Sequence, residues 1–240
     1  LRHAGSHLSL YQLTIEPNTA FHHSYHVKRA FDLPPEALAA DLYALTQSLM
    51  ASAGLPAYEI SNHAAPGEES RHNLSYWRGH AYIGIGPGAH GRIPSHPLME
   101  SPLGATAPTR SGGVNAEREG ASPPFAKGKP QPTLLATLTY KTPERWLEHV
   151  EAHGHGLESI EPLTLEERLE ERLMTGLRLS EGLALSSLTE TEHTLLNTRI
   201  PPRALTTLRD AGMLETTPTH WRTTPQGKLV LNSILQTLLA

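Results

Sequence analysis

With 240 residues, 38% of them apolar and 5% aromatic, the chain is long enough for one large domain or two small ones, but its core must be lean. A formal net charge of -4 supplies no basic field to draw it to nucleic acid or to an acidic membrane. Cysteine is absent, which excludes a disulfide, a thiolate metal site and a cysteine nucleophile within these residues. No apolar run approaches the roughly 18 residues of a spanning helix. The chain opens on Leu1-Arg2-His3 with neither Met nor a leader pattern, so it reads as a piece of a longer chain.

Residues 1–93 alternate short strands with one good helix. Residues 7–13 read as a strand behind Gly5. Pro34 and Pro35 stand where a helix begins, Leu38, Leu42, Leu45 and Leu49 recur on one helical face, and Gly54 ends it. Residues 57–60 and 81–85 read as further strands. Strand, helix, strand predicts a parallel α/β unit. From 94 to 132 Pro, Gly and Ser dominate without an apolar period, so 94–139 is expected to be a flexible insertion or linker.

Residues 140–240 are predicted to be mostly helical. Thr142-Pro143 opens a helix carrying Trp146, Leu147 and Val150. Thr164-Leu165-Glu166-Glu167 is a capping box before Leu165, Leu169 and Leu173. Pro201-Pro202 opens a short helix with Leu205 and Leu208, closed by Gly212. Residues 213–215 and 221–223 fit a hairpin, and Thr224-Pro225 opens a last helix bearing Val230, Ile234 and Leu238. Helices followed by a hairpin outline a winged-helix-like domain.

The most informative segment is Gly84-Ile85-Gly86-Pro87-Gly88-Ala89-His90-Gly91, preceded by Arg71-His72-Asn73-Leu74-Ser75-Tyr76-Trp77. Four glycines in eight residues leave the main chain bare, so another molecule can approach it closely. Two readings stand side by side: a pocket wall for a flat or nucleotide-like ligand, or a buried strand with a Gly-Pro turn.

Five ordered motifs decide a resemblance. They are Tyr11-Gln12-Leu13-Thr14-Ile15-Glu16-Pro17, Tyr58-Glu59-Ile60-Ser61-Asn62, the His-Asn-x-x-Tyr-Trp run at 72–77, the glycine segment, and Gly176-Leu177-Arg178-Leu179-x-Glu181-Gly182. The chain resembles the heme chaperone family HemW, which is similar to oxygen-independent coproporphyrinogen III oxidase. The resemblance implies an α/β fold: 1–93 as the C-terminal part of a partial (β/α) radical SAM barrel, then the 94–139 insertion, then 140–240 as a helical, winged-helix-like domain. It implies heme, S-adenosylmethionine and a 4Fe-4S cluster as cofactors. The family holds that cluster with a Cys-x-x-x-Cys-x-x-Cys loop, and cluster iron needs thiolates. This chain has no cysteine, so no iron–sulfur ligand lies in it and catalysis by it alone is not expected.

By the same resemblance Thr14, Gly84, Gly86, Gly88 and His90 line the S-adenosylmethionine side. His72 is the candidate axial ligand of heme iron, with Tyr76 and Trp77 as aromatic neighbours for the macrocycle. The implied partners are heme and a heme-accepting protein. The expected place is the cytoplasm, with association at the inner face of the membrane and a homodimer left open. An oxygen-independent coproporphyrinogen III oxidase is the alternative activity. DNA binding by the winged-helix module is a weaker one, since Arg203 and Arg209 offer few phosphate contacts.

Other constellations have ordinary explanations. His22, His23 and His26 lie within reach of one metal, but an exposed loop is expected there. Glu16 reads as a solvated carboxylate beside the pocket. Glu59 and Asn62 flank a strand end, where barrel sites lie, and face either a pocket or the core. Glu166 and Glu167 suit the positive start of a helix, and His149, His153 and His155 its negative end.

Overall fold

The computed structural model describes residues 3–29, 31–95 and 134–239. The chain divides into two compact units: Leu1–His80 with Thr164–Ala240, and Ala81–Leu163.

The first unit begins with strand β1 (His7–Ser9), helices α1 (Ala20–His26) and α2 (Glu36–Ser52), strand β2 (Asn62–Ala64) and helix α3 (Arg71–Trp77). Strands β1 and β2 pair antiparallel, His7 opposite Ala64 and Ser9 opposite Asn62. The parallel arrangement expected here is therefore not the one formed. The strand expected over 7–13 stops at Ser9, and the one expected over 57–60 is a turn with a single bridge, Ala57 to His63. The cause is the Glu59 carboxylate, which accepts from the Ser61 amide and the Asn62 side chain at 2.7 Å each and folds the chain back before it can extend.

Helix α1 corrects another expectation. Residues 22–26 form no loop: the Thr19 hydroxyl caps the helix by accepting from the His22 amide, so the three histidines share a single short helix. Helix α2 follows the predicted bounds and ends at Gly54, where φ is +76°. Its leucine face is not covered by the described residues. Leu38, Leu42, Leu45 and Leu49 are 48–58% exposed, and Met50 is the helix's buried residue.

The second unit is a three-stranded antiparallel sheet, β3 (His90–Pro94), β4 (Leu134–Thr139) and β5 (Leu157–Pro162), with helix α4 (Pro143–His153) between β4 and β5. The strand expected over 81–85 is reduced to one bridge, Tyr82 to Arg92. Extended pairing fails because the glycine segment turns back on itself, bringing Gly84 against the His90 carbonyl where a side chain has no room. Residues 134–139, taken with the linker by composition, are strand β4; the Pro, Gly and Ser-rich stretch at 96–133 lies outside the described residues. Helix α4 starts at Pro143 and closes on Gly154 in the left-handed conformation, φ +77°.

The first unit resumes with α5 (Leu165–Gly176), strand β6 (Leu183–Ala184), a 3-10 turn at Leu185–Ser187, α6 (Glu190–Arg199), α7 (Pro202–Asp210), strands β7 (Leu214–Thr216) and β8 (His220–Thr223), and helices α8 (Pro225–Leu229) and α9 (Leu231–Leu239). The expected capping box is present: Thr164 bonds the Glu167 amide, and Glu167 bonds back to the Thr164 amide. A second one joins Thr189 to Glu192. The sheet order is β6-β8-β7, all antiparallel. The final helix is interrupted where one was expected: Val230 leaves helical geometry at φ -123°, and it is exposed instead of facing the core.

The core of this unit is built from residues 169–238. Leu169, Leu173, Leu177, Leu196, Leu214, Ile234 and Leu238 bury their side chains almost completely. Truncating one such leucine to alanine costs roughly 2–5 kcal/mol in cores of this kind.

Candidate functional site

In the second unit the glycine segment is held from one side by the end of β4. Thr139, buried at the end of β4, donates to the Gly86 carbonyl at 2.6 Å and accepts from the Ala89 amide at 2.8 Å. The Ala89 carbonyl accepts from the Thr139 amide and the Tyr140 carbonyl from the Gly88 amide, so the far side of the loop is tied at four points. The near side is open. Ile83 and Ile85 are 76% and 88% exposed, and the amides of residues 83–86 make no hydrogen bond among the described residues. Gly86 and Gly88 adopt φ +94° and +69°, which other residues rarely do. His90 is exposed at the start of β3. The arrangement offers backbone donors beside apolar side chains, which suits the edge and face of a purine.

The remaining expected site residues lie in the first unit. His72 is exposed on α3, capped by the Ser70 hydroxyl. Its ring meets that of Tyr76 edge to face, centroids 4.7 Å apart, and neither imidazole nitrogen makes a hydrogen bond among the described residues. An imidazole in that state keeps a lone pair available for iron. Trp77 is half-buried, with the Arg178 guanidinium 5.1 Å from its ring centre and its indole N–H buried without a partner among the described residues. Thr14 is exposed in an irregular segment, because strand β1 ends five residues earlier. Glu16 is exposed.

Glu59 and Asn62 are buried rather than turned outward, and they bring in residues that no motif flagged. Ser9 donates to Asn62 Oδ1 at 2.5 Å, and Asn62 to Glu59 Oε1. Tyr58 accepts from Asn73 at 3.1 Å and shares a 2.9 Å bond with His7. Burial raises the Tyr58 phenol, with part of the rise offset by the Asn73 bond. His63 is fully buried, and neither ring nitrogen has a well-formed hydrogen bond among the described residues. Burial pushes its imidazole below the ordinary value, with Glu59 opposing. The only advance sign of His63 was its place next to the Tyr58-to-Asn62 motif.

On helix α1 the rings of His22 and His26 lie 4.4 Å apart, and on α4 those of His149 and His153 stack at 4.9 Å. Among the described residues no group of three or more His, Cys, Asp or Glu could hold a metal ion. An iron–sulfur cluster does not fit, since its thiolate ligands are missing from the sequence. No described helix is long and apolar enough to cross a membrane.

A family model described as the HemN C-terminal domain matches residues 163–230. The mitochondrial radical S-adenosyl methionine domain-containing protein 1 of Bos taurus is 31% identical over 100% of this chain and 48% of its own length. Heme chaperone HemW of Escherichia coli (strain K12) is 31% identical over 98% of this chain and 50% of its own length. Residues 163–230 are thus similar to the HemN C-terminal domain, and the chain along its length is similar to proteins named heme chaperone HemW. It spans about half the length of the curated relatives it matches. The solved structure of coproporphyrinogen III oxidase (HemN) from Escherichia coli, a radical SAM enzyme, matches 99% of this chain and 48% of its own with a TM-score of 0.59. At 14% identity that likeness establishes the fold, a mixed helix-and-strand arrangement of the α/β class.

Proposed function

We propose that the chain serves a heme chaperone of the HemW type, which holds heme and hands it to a heme-accepting protein. The observation that carries this is His72: an exposed imidazole on a capped helix, beside an aromatic ring, with neither nitrogen bonded among the described residues. It joins the identity of about 30% to proteins named heme chaperone. His72 supplies the axial nitrogen, and Tyr76 and Trp77 flank the macrocycle. Heme, when bound, is cargo and undergoes no reaction here.

Gly84, Gly86, Gly88 and His90 of the second unit receive S-adenosylmethionine, a role supported by the open amides of residues 83–86. Thr14 of the first unit keeps the same assignment on its own. In this reading 1–93 is barrel, the stretch between β3 and β4 an insertion and 140–240 the helical, winged-helix-like domain. The protein acts in the cytoplasm, with self-association and membrane contact as properties to be measured.

Heme titration tests the proposal. The wild-type chain is expected to give a shifted Soret band that His72→Ala moves or weakens; identical spectra for the two would remove His72 as ligand. The match to the HemN C-terminal model favours one second reading, oxidative decarboxylation of coproporphyrinogen III. Anaerobic product assays on a protein that also carries cluster cysteines separate the two, since a chaperone transfers heme and forms no decarboxylated product.

A further inference from the structure

The first unit contains a cavity of about 420 Å3 that no expected site residue lines. One wall comes from α2, through Tyr43, Ala44 and Gln47; the opposite wall comes from the end of β8 and from α8. Its surface is largely apolar, with Ala44, Pro225 and Leu229 contributing.

Most of its polar groups are already committed. Arg222 pairs with Glu215 at 2.6 Å, Thr223 donates to the Leu177 carbonyl, Thr224 to the Gly212 carbonyl, and Tyr43 to the Ile60 carbonyl. The Gln47 carboxamide and Lys228 are the exceptions among the described residues, and only Lys228 carries charge. Its ammonium donates to Ser180 Oγ at 2.6 Å, and the Ser180 hydroxyl donates onward to the Ala57 carbonyl, which fixes the lysine head at the cavity wall. Two of its three protons are unspent. No carboxylate of the described residues forms an ion pair with it; Glu59 and His63 act on it only through space. Burial accordingly depresses the lysine from its ordinary value.

We propose that this cavity is a binding site for a small apolar monocarboxylate, whose carboxylate docks on Lys228 and whose hydrocarbon lies along Ala44, Pro225 and Leu229. A desolvated ammonium without a counter-charge gains most from an anion that brings its own. One unpaired positive charge matches a monoanion better than a phosphate dianion, because Arg222 is held by Glu215. The volume lies in the usual range for small-molecule pockets. The site stands independently of heme binding at His72.

Calorimetric titration of the whole chain with 1-naphthaleneacetate and with the neutral 1-naphthaleneethanol tests it. The acid is expected to bind at least tenfold more tightly at low salt. Lys228→Gln brings the acid to the level of the alcohol and leaves the alcohol unchanged. Ala44→Trp, at an exposed position of α2 that tolerates a large side chain, fills the cavity and abolishes both. Equal affinities in the wild type, binding of neither probe, or an acid preference that survives Lys228→Gln would each overturn the proposal.

Discussion

The side-chain amide of Asn62 donates to Oε1 of Glu59 at 2.7 Å, and both residues are more than 95% buried. A buried carboxylate is tolerable only while donors surround it. Asn62→Leu removes one donor from Glu59 and the acceptor of Ser9, and is expected to cost about 2–4 kcal/mol. Glu59→Gln keeps an oxygen that accepts from both Ser61 and Asn62, so it costs less, about 1 kcal/mol. Urea unfolding midpoints at unchanged slope measure both; the reverse order would show that the charge, and not its donors, is what matters.

His63 makes stability depend on pH. Burial holds its folded value below the unfolded one of 6.5. The unfolded chain therefore binds the proton more readily, so stability is complete above about pH 6.5 and falls as pH drops from there towards the folded value. His63→Leu, close in volume and without a charge, is expected to lose less stability than the wild type between pH 7 and pH 5. Glu59, Lys228 and His7 face the same ring, and they are common to both proteins, so the difference between the two pH curves isolates His63. Parallel curves would mean that the imidazole is not kept neutral.

Chain punctuation was legible in the sequence where the signal was local. Thr164 and Glu167, Pro202 and Gly212, and the 35–54 boundaries of α2 all rest on side chains bonding or shaping their own backbone. Strand assignments failed where burial and backbone crowding decided. The turn at 57–60 needs the Glu59 carboxylate to be buried, and the loss of the 81–85 strand needs Gly84 to meet the His90 carbonyl. Helix α1 went unseen because its cap, Thr19, precedes only seven residues without an apolar stripe. Of the site, His72 and the glycine segment could be named from motifs; Lys228 and Thr139 could not, since their roles come from partners 48 and 53 residues away.

Glycine positions separate conformational cost from crowding. Gly212 has φ +68° and open space around an added Cβ, so Gly212→Ala pays only the left-handed conformation, about 1 kcal/mol. Gly227 on α8 lies against the Met213 carbonyl, where a methyl group overlaps backbone. Gly227→Ala is expected to cost about 3 kcal/mol and, by displacing α8, to disturb the neighbouring Lys228. Thermal unfolding of the two variants checks this. A smaller loss for Gly227→Ala than for Gly212→Ala would mean that α8 moves aside freely.

Thr139 gives the sharpest local test of the glycine segment. Its hydroxyl bonds Gly86 and Ala89 together, and its burial keeps water from replacing it. Thr139→Val preserves shape and β-branching but leaves one carbonyl and one amide without that partner, at a cost of about 1–3 kcal/mol. The loss should be local, because the Gly88 amide and the Ala89 carbonyl retain their own bonds to Tyr140 and to the residue-139 amide. Hydrogen exchange reads it directly: the Ala89 amide should exchange at least tenfold faster, while the amides of α5 are unchanged. Unaltered protection at Ala89 would show that the loop holds its shape without the hydroxyl. The glycine backbone would then be set by its own torsions and by the backbone bonds at Gly88 and Ala89.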